Sequence, residues 1–168
     1  MDRKKLVRRI FAVKRTGCDV EAQSLLHDLR DSLGIRGLTG VRIFNRYDLS
    51  GVTDAEYESA RTIVFSEPPV DDVFDETIQV PPDAFVFAVE ALPGQYDQRA
   101  DSAAQCVQFL TGGDRPECRS ARVYCLTGEL AASDRERVKA YLVNPVDARE
   151  ASLDKPDTLE QAAEVPED

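Results

Sequence analysis

The feature of this sequence that most constrains its fold is a helical pattern that occurs twice. In each copy, a strand-like segment leads into a glycine-containing turn, an aspartate at the expected cap position and a stripe of apolar side chains at helical spacing. The stripe positions 22, 25, 26 and 29 recur as 100, 103, 104 and 107, each 78 residues later in the chain. A constant offset over four positions predicts that one unit was duplicated and fused.

The elements around these helices follow one order in both halves. The first half predicts a strand at 10–13, a helix at 19–33, strands at 40–44 and 47–49, a helix that begins at a Thr53–Glu56 capping box, and an edge strand within 70–80. The second half predicts a strand at 84–90, a helix at 97–110, a strand at 121–126, a helix with a Ser133–Glu136 capping box and buried residues Val138, Tyr141 and Leu142, and a closing segment at 144–147. Arg42 aligns with Arg122 in the matching strands.

This order predicts an α+β fold made of two pseudo-repeats of β-α-β-β-α-β, the ferredoxin-like order, in which helices cover one face of an antiparallel sheet. The predicted boundaries are 1–80 for the first half and 81–150 for the second. The halves are expected to pack as a fused pseudo-dimer, through their sheets or through their long helices. Residues 151–168 are polar, acidic and aperiodic and predict a linker. The end at Asp168, without a closing element, is what we expect before a further domain.

Composition narrows the classes of partner. The net charge of −10 and the pI near 4.7 disfavour nucleic acid and anionic membrane surfaces. No apolar run approaches the length of a membrane span, so the expected location is the cytoplasm. The one basic cluster is interpreted as a solvated strand flank; its members are Arg3, Lys4, Lys5, Arg8 and Arg9.

The residues that most often carry catalysis give little signal. The four cysteines have no CxxC spacing and no nearby histidine, so they are expected to be free and mostly buried thiols rather than metal ligands; they are Cys18, Cys106, Cys118 and Cys125. His27 lies off the apolar stripe and is expected at the surface. The sequence contains neither a P-loop nor a GxGxxG phosphate cradle. We therefore expect no catalytic residue, metal or cofactor in this chain.

Three segments carry a resemblance to a known family. They are LPGQYDQRADSAAQ at 92–105, the strands GVRIF at 40–44 and ARVY at 121–124, and the closing segments SEPPVDD at 66–72 and LVNPVDARE at 142–150. Together they resemble the amino-terminal part of the large, single-chain form of phosphoribosylformylglycinamidine synthase. That part is built like a fused dimer of the family's separate small subunit, and the resemblance therefore implies a fused PurS-like dimer.

The resemblance implies a role within a larger ligase of purine biosynthesis. The family's whole enzyme is a glutamine amidotransferase that uses ATP and Mg²⁺ to amidate formylglycinamide ribonucleotide with ammonia released from glutamine. Its ATP-binding and glutaminase domains lie outside the region matched here. This chain would bridge the synthetase and glutaminase domains of the same polypeptide and help to enclose the ammonia path, without being catalytic itself.

We expect the functional surface at the loop and first helical turns of the 92–105 segment. The candidate contact residues, on the inter-domain or substrate side, are Pro93, Gly94, Gln95, Asp97, Gln98, Arg99 and Ser102. Gly94 would allow close backbone approach, and a cation in the first helical turn, as at Arg99, opposes the helix dipole and calls for a compensating partner. Two simpler interpretations stay open, in which Asp97 is only a helix cap and Arg99 is only solvated.

Two other classes of function also stay open. Tandem ferredoxin-like repeats also serve as stand-alone regulatory modules that bind a small effector between the halves. A homo-oligomeric scaffold is the third class. A reading frame that continues past Asp168 into a synthetase would favour the enzyme segment, whereas an immediate stop and binding of an amino acid or nucleotide would favour the regulator.

Overall fold

One antiparallel sheet organises residues 3–159, the part of the chain that the computed structural model describes. The elements in chain order are a 3₁₀ helix at Arg3–Lys5, β1 Arg8–Lys14, α1 Val20–Asp31, β2 Leu38–Ser50, α2 Asp54–Ile63, β3 Asp71–Asp75, β4 Phe85–Ala91, α3 Gln98–Thr111, β5 Glu117–Gly128, α4 Ala132–Leu142 and β6 Ala148–Ala151. The strand order is β3-β1-β2-β5-β4-β6, and all neighbours are antiparallel. The predicted α+β class is confirmed.

The two halves of the chain meet edge to edge in this sheet. The long central strands β2 and β5 pair from Leu38 opposite Gly128 to Ser50 opposite Glu117. The strands β1 and β3 lie on one side of this central pair, and β4 and β6 lie on the other. The strands before residue 80 and those after it therefore meet through the β2–β5 pair.

The predicted third strand at 47–49 is wrong as a separate element. Residues 38–50 form one continuous strand, so each half reads β-α-β-α-β rather than β-α-β-β-α-β. Asn45 and Arg46 are the two polar residues that separate the predicted strands 40–44 and 47–49. Their backbones pair with β1 on one side and β5 on the other, and no glycine or proline forces a turn between them.

All four helices cover one face of the sheet. Seven of the eight predicted stripe residues are buried: Ala22, Leu25 and Leu29 on α1, and Ala100, Ala103, Ala104 and Val107 on α3. The eighth, Leu26, is half-buried. The stripe of α1 packs with α4 over the ends of β4 and β5, in a cluster that includes Phe87, Leu126 and Val138. The stripe of α3 packs with α2 in a second cluster that includes Tyr47, Tyr57 and Phe65.

Two of the finer helix predictions fare differently. The Thr53–Glu56 capping box is present, with both reciprocal hydrogen bonds. The Ser133–Glu136 box is wrong, because α4 begins earlier, where the Ala131 amide donates to the carboxylate of Asp134. Tyr141 is half exposed rather than buried.

The opposite face of the sheet, here called the open face, is apolar at one end. Phe11, Phe44 and Val123 are buried there. The connection between β3 and β4 lies over them, because Ile78 and Val80 pack against this cluster. The other end of the open face is polar and carries Arg9, Arg46 and Asp48.

The alignment of Arg42 with Arg122 is wrong, because the two side chains lie on opposite faces of the sheet. The Arg122 side chain forms an ion pair with Glu21 on α1 and so lies on the helix face. The Arg42 guanidinium lies over the ring of Phe44, on the open face. Side chains alternate along a strand, so an alignment shifted by one residue exchanges the faces.

Several surface expectations can now be placed. His27 is exposed, as predicted. The cysteines are not mostly buried, since Cys18 and Cys106 are exposed, Cys118 is half-buried and only Cys125 is buried. Arg9 is wrong as a member of a solvated flank, because only 2% of it is exposed. Among residues 3–159, no helix is long and apolar enough to cross a membrane.

The described part of the predicted linker, residues 151–159, lies against the polar end of the open face. Arg46 donates to the carbonyl of Ser152, and Arg9 donates to the carbonyl of Leu153. Leu159 is 3% exposed. Residues 160–168 lie outside the described part of the chain. The boundaries 1–80, 81–150 and 151–168 stay predictions.

Candidate functional site

The predicted loop lines a cleft of about 710 Å³ at the end of β4. One wall is the turn from β4 to the first turns of α3, which includes Pro93, Gly94, Gln95 and Asp97. The facing wall is the beginning of β5, from Arg115 to Ser120. Because β4 ends at Ala91 and the chain then turns into α3, the first residues of β5 lack β4 as a neighbour, which leaves space for the cleft.

Asp97 links the two walls. Its Oδ1 accepts from the Ala100 amide at 3.0 Å, which caps α3, and from the Ser120 hydroxyl at 2.7 Å. Its Oδ2 accepts from the Ser120 amide at 2.9 Å. The carboxylate is therefore more than a helix cap, since it also holds the helix start against β5.

The turn at Gly94 is determined by backbone conformation. Gly94 has φ of 86°, which non-glycine residues rarely adopt, and the Gln95 amide donates to the Leu92 carbonyl at 2.9 Å. A Cβ atom at Gly94 would have no other described atom within 4 Å. Any group that approaches this backbone closely must therefore come from outside the described residues.

The cleft carries both charges. Arg115 forms an ion pair with Asp101, which also accepts from the Tyr96 hydroxyl at 2.7 Å. These hydrogen bonds, first that from Tyr96 and then that from Arg115, hold the pKa of Asp101 below its ordinary value. Across the cleft, Arg149 forms an ion pair with Glu90 at 2.8 Å.

The structure brings together only part of the predicted set. Pro93, Gly94, Gln95 and Asp97 line the cleft, whereas Gln98 and Ser102 are exposed and do not line it. Arg99 points to an adjoining recess of about 380 Å³ that is also lined by Arg122, Tyr124 and Asp147. Sequence reasoning missed the facing wall, Arg115 to Ser120, and Arg149 on β6.

A second cleft, of about 650 Å³, lies at the corresponding place in the first half. It is formed by the turn from β1 into α1 and by the beginning of β2. The aspartate of this turn, Asp19, accepts from the Gly17 amide and the Gln23 side chain but from no helix amide. The two clefts share their place in the fold, but the polar contacts that Asp97 makes are absent from Asp19 among the described residues.

The chemistry of Cys118 limits what the first cleft can do. Burial raises the pKa of this thiol to about 12, with the charge of Asp97 adding to the effect. A thiol with that pKa is protonated at neutral pH and is a poor nucleophile.

Within residues 3–159, no group of three or more His, Cys, Asp or Glu residues is arranged to hold a metal ion.

We predict that Cys118 reacts slowly with iodoacetamide at pH 7.5, whereas the exposed Cys106 reacts at least about tenfold faster, because burial limits access and disfavours the thiolate. Mass spectrometry of peptides after timed quenching measures both rates in one sample. Comparable rates at the two positions would contradict the structure at this wall of the cleft.

Comparison with known proteins does not assign the chain to a family. No protein-family model matches this sequence, and no curated protein matches it.

Proposed function

We propose that this chain is the non-catalytic, amino-terminal segment of a phosphoribosylformylglycinamidine synthase, in which it bridges the synthetase and glutaminase domains and helps to enclose the ammonia path. The observation that carries the proposal is the strand order β3-β1-β2-β5-β4-β6. It is symmetric about the β2–β5 pair, as expected if a small β-α-β-α-β unit had been duplicated and fused through its edge strands.

The positions of the elements support a duplication. The corresponding elements β1 and β4, α1 and α3, β2 and β5, α2 and α4, and β3 and β6 begin 77 to 79 residues apart. The buried stripes of α1 and α3 lie on the same face of the sheet, where α1 contacts β2 and α3 contacts β5. Two duplicated units joined through edge strands would form the fused dimer that the resemblance implies.

The loop at 92–99 has the properties of a contact surface. Gln95 and Arg99 are exposed, and Tyr96 is 70% exposed. Within residues 3–159, Arg99 forms no hydrogen bond and no ion pair, although its charge acts on Glu21 from a distance. It stands in the first turn of α3, where the helix dipole disfavours a cation. We propose that its partner belongs to the synthetase or glutaminase domain.

In this proposal, the chemistry belongs to the other domains. ATP, Mg²⁺ and the thiol that releases ammonia from glutamine would be supplied outside this segment. Enclosure of the path matters because ammonia that escapes to water is lost to the amidation step. The segment would fix the relative position of the two catalytic domains through contacts made by the loop at 92–99.

The test uses the full-length enzyme with Arg99→Ala. We expect about fivefold lower glutamine-dependent turnover, and more glutamine hydrolysed for each product formed, because a contact that closes the path is lost. Turnover with added ammonium chloride should change less. The matched control is Arg36→Ala, an exposed arginine in the loop between α1 and β2. Unchanged turnover and unchanged coupling in the Arg99 variant would remove this loop from the proposed interface.

The second candidate is a stand-alone regulatory module. It is favoured by one observation, the presence of two clefts at corresponding places in the fold. A small effector bound in them would be detected by calorimetric titration of the purified chain with amino acids and nucleotides. A stop codon directly after Asp168, together with such binding, would replace the first proposal by the second.

A further inference from the structure

We propose that the polar end of the open face is a binding site for the phosphate group of a small phosphate monoester. A recess of about 330 Å³ lies there, between the sheet and residues 152–156. Four arginines from four strands line it: Arg9 on β1, Arg46 on β2, Arg119 on β5 and Arg149 on β6. The inference concerns contacts within this chain and does not depend on the function proposed above.

Two of these arginines have carboxylate partners. Arg9 donates to both oxygens of Asp48, at 2.7 and 2.9 Å, in a buried bidentate pair. Arg149 donates to Glu90 at 2.8 Å. Their charges are therefore compensated within the recess.

The other two arginines have no carboxylate partner. Arg46 is 5% exposed. Within the described residues, its guanidinium donates one hydrogen bond, at 2.8 Å, to the carbonyl of Ser152. Arg119 donates to the carbonyl of Leu159 at 3.4 Å. No carboxylate of residues 3–159 lies within 4.0 Å of either guanidinium. Among residues 3–159, two of the four guanidinium groups of the recess therefore form no ion pair, although four carboxylates also line it, those of Asp48, Glu90, Glu150 and Asp154.

The position of Arg46 is electrostatically unfavourable without an anion. Burial, and after it the nearby charge of Arg9, lowers the pKa of Arg46, while the charges of Asp48 and Glu90 oppose part of this effect. An arginine nevertheless stays charged at neutral pH, and a buried guanidinium that forms no ion pair is destabilising. A bound anion would remove this penalty, and the free energy gained in this way would contribute to its binding.

The other acidic side chains of the recess do not fill this role. Glu150 forms an ion pair with Lys139 at 3.1 Å. Asp154 lines the recess, but its carboxylate lies farther than 4.0 Å from Arg46 and Arg119. Within residues 3–159, Arg46 and Arg119 thus have no carboxylate within ion-pair distance, which leaves the place of their counter-ion to a ligand.

The geometry favours a phosphate monoester over a monovalent anion. A phosphate monoester carries close to two negative charges at neutral pH, which equals the number of unpaired guanidinium groups, and guanidinium forks bind phosphate oxygens in bidentate fashion. The recess also shares Glu90, Arg119, Ser120 and Arg149 with the larger cleft. With its phosphate in the recess, a ligand could extend hydroxyl or amino groups toward the carboxylates of that cleft.

The first experiment measures the thermal unfolding of the 168-residue chain with four additions. These are inorganic phosphate, glycerol 3-phosphate, glycerol, and sodium chloride at matched ionic strength. We expect a rise in Tm of about 5 °C with either phosphate compound at saturation, a larger rise with glycerol 3-phosphate, and none with glycerol or chloride. Equal shifts in phosphate and in chloride would overturn the proposal, because they would show only ionic strength.

The second experiment uses three variants under the same conditions. Arg119→Gln is expected to weaken phosphate binding at least tenfold by calorimetry. Arg46→Gln is expected to abolish the phosphate-dependent shift and to raise the Tm without phosphate, since it removes an uncompensated buried charge. Arg36→Gln, outside the recess, should bind phosphate like the unmodified chain. If Arg46→Gln does not fold, Arg119→Gln decides, and unchanged binding in that variant overturns the proposal.

Discussion

Replacing Asp48 with asparagine should destabilise the chain by about 3–5 kcal/mol, the cost of leaving a buried ion pair with one partner. Asp48 accepts two hydrogen bonds from Arg9, and the side chains are 7% and 2% exposed, respectively. The neutral amide offers one acceptor and turns a donor toward the guanidinium. Arg9 would then lie buried beside Arg46 with no carboxylate partner.

Urea unfolding, followed by circular dichroism, measures this loss. The control is the double variant Arg9→Met, Asp48→Leu, which removes both charges. It should be within about 1 kcal/mol of the unmodified chain, or more stable, because the desolvation penalty disappears with the pair. A free energy of unfolding within 1 kcal/mol of the original in the single variant would show that the pair is not buried as the structure has it.

The same pair shows why the sequence could not place the basic cluster. Arg9 stands among four other cations, and a run of charges near a chain start is usually solvated. Its partner, Asp48, is 39 residues away and reaches it only through the pairing of β1 with β2, where Arg9 stands opposite Asp48. The residues near Arg9 in the sequence do not predict the register in which β1 pairs with β2.

The helices were more accessible to prediction because their signals are local. The stripes of α1 and α3 and the Thr53–Glu56 box depend on residues within a few positions of one another. The strands depend on partners far away in the chain. That is why the sequence predicts two strands, at 40–44 and 47–49, where the structure has one, and why it aligns Arg42 with a residue on the other face.

The candidate site divides in the same way. The loop at 92–97 was predicted, since proline, glycine and an aspartate cap are local features. Its facing wall was not, because Ser120 lies 23 residues from Asp97 and Arg149 belongs to the last strand. Arg46 had no signal at all, since only the folded sheet shows that its charge lacks a carboxylate partner.

The carboxylate of Asp97 joins the predicted and the missed walls, and its loss should be costly. Asp97→Ala should lower the free energy of unfolding by about 2–3 kcal/mol. Loss of the helix cap accounts for about 1 kcal/mol of this change. The remainder comes from the Ser120 amide and hydroxyl, which are left without an acceptor. Urea unfolding measures the change.

Two further variants separate these contributions. Asp97→Asn retains an oxygen for the Ala100 amide and the Ser120 hydroxyl but places a donor against the Ser120 amide, so it should keep the cap and lose the stability that comes from that amide. Asp19→Ala is the matched control in the first half: its carboxylate has exposed partners only, and the expected change is below about 0.5 kcal/mol. Equal losses at positions 19 and 97 would mean that both aspartates act as ordinary caps. A loss confined to position 97 would mean that the link between α3 and β5 holds this cleft in shape, and that the turn before α1 has no equivalent link.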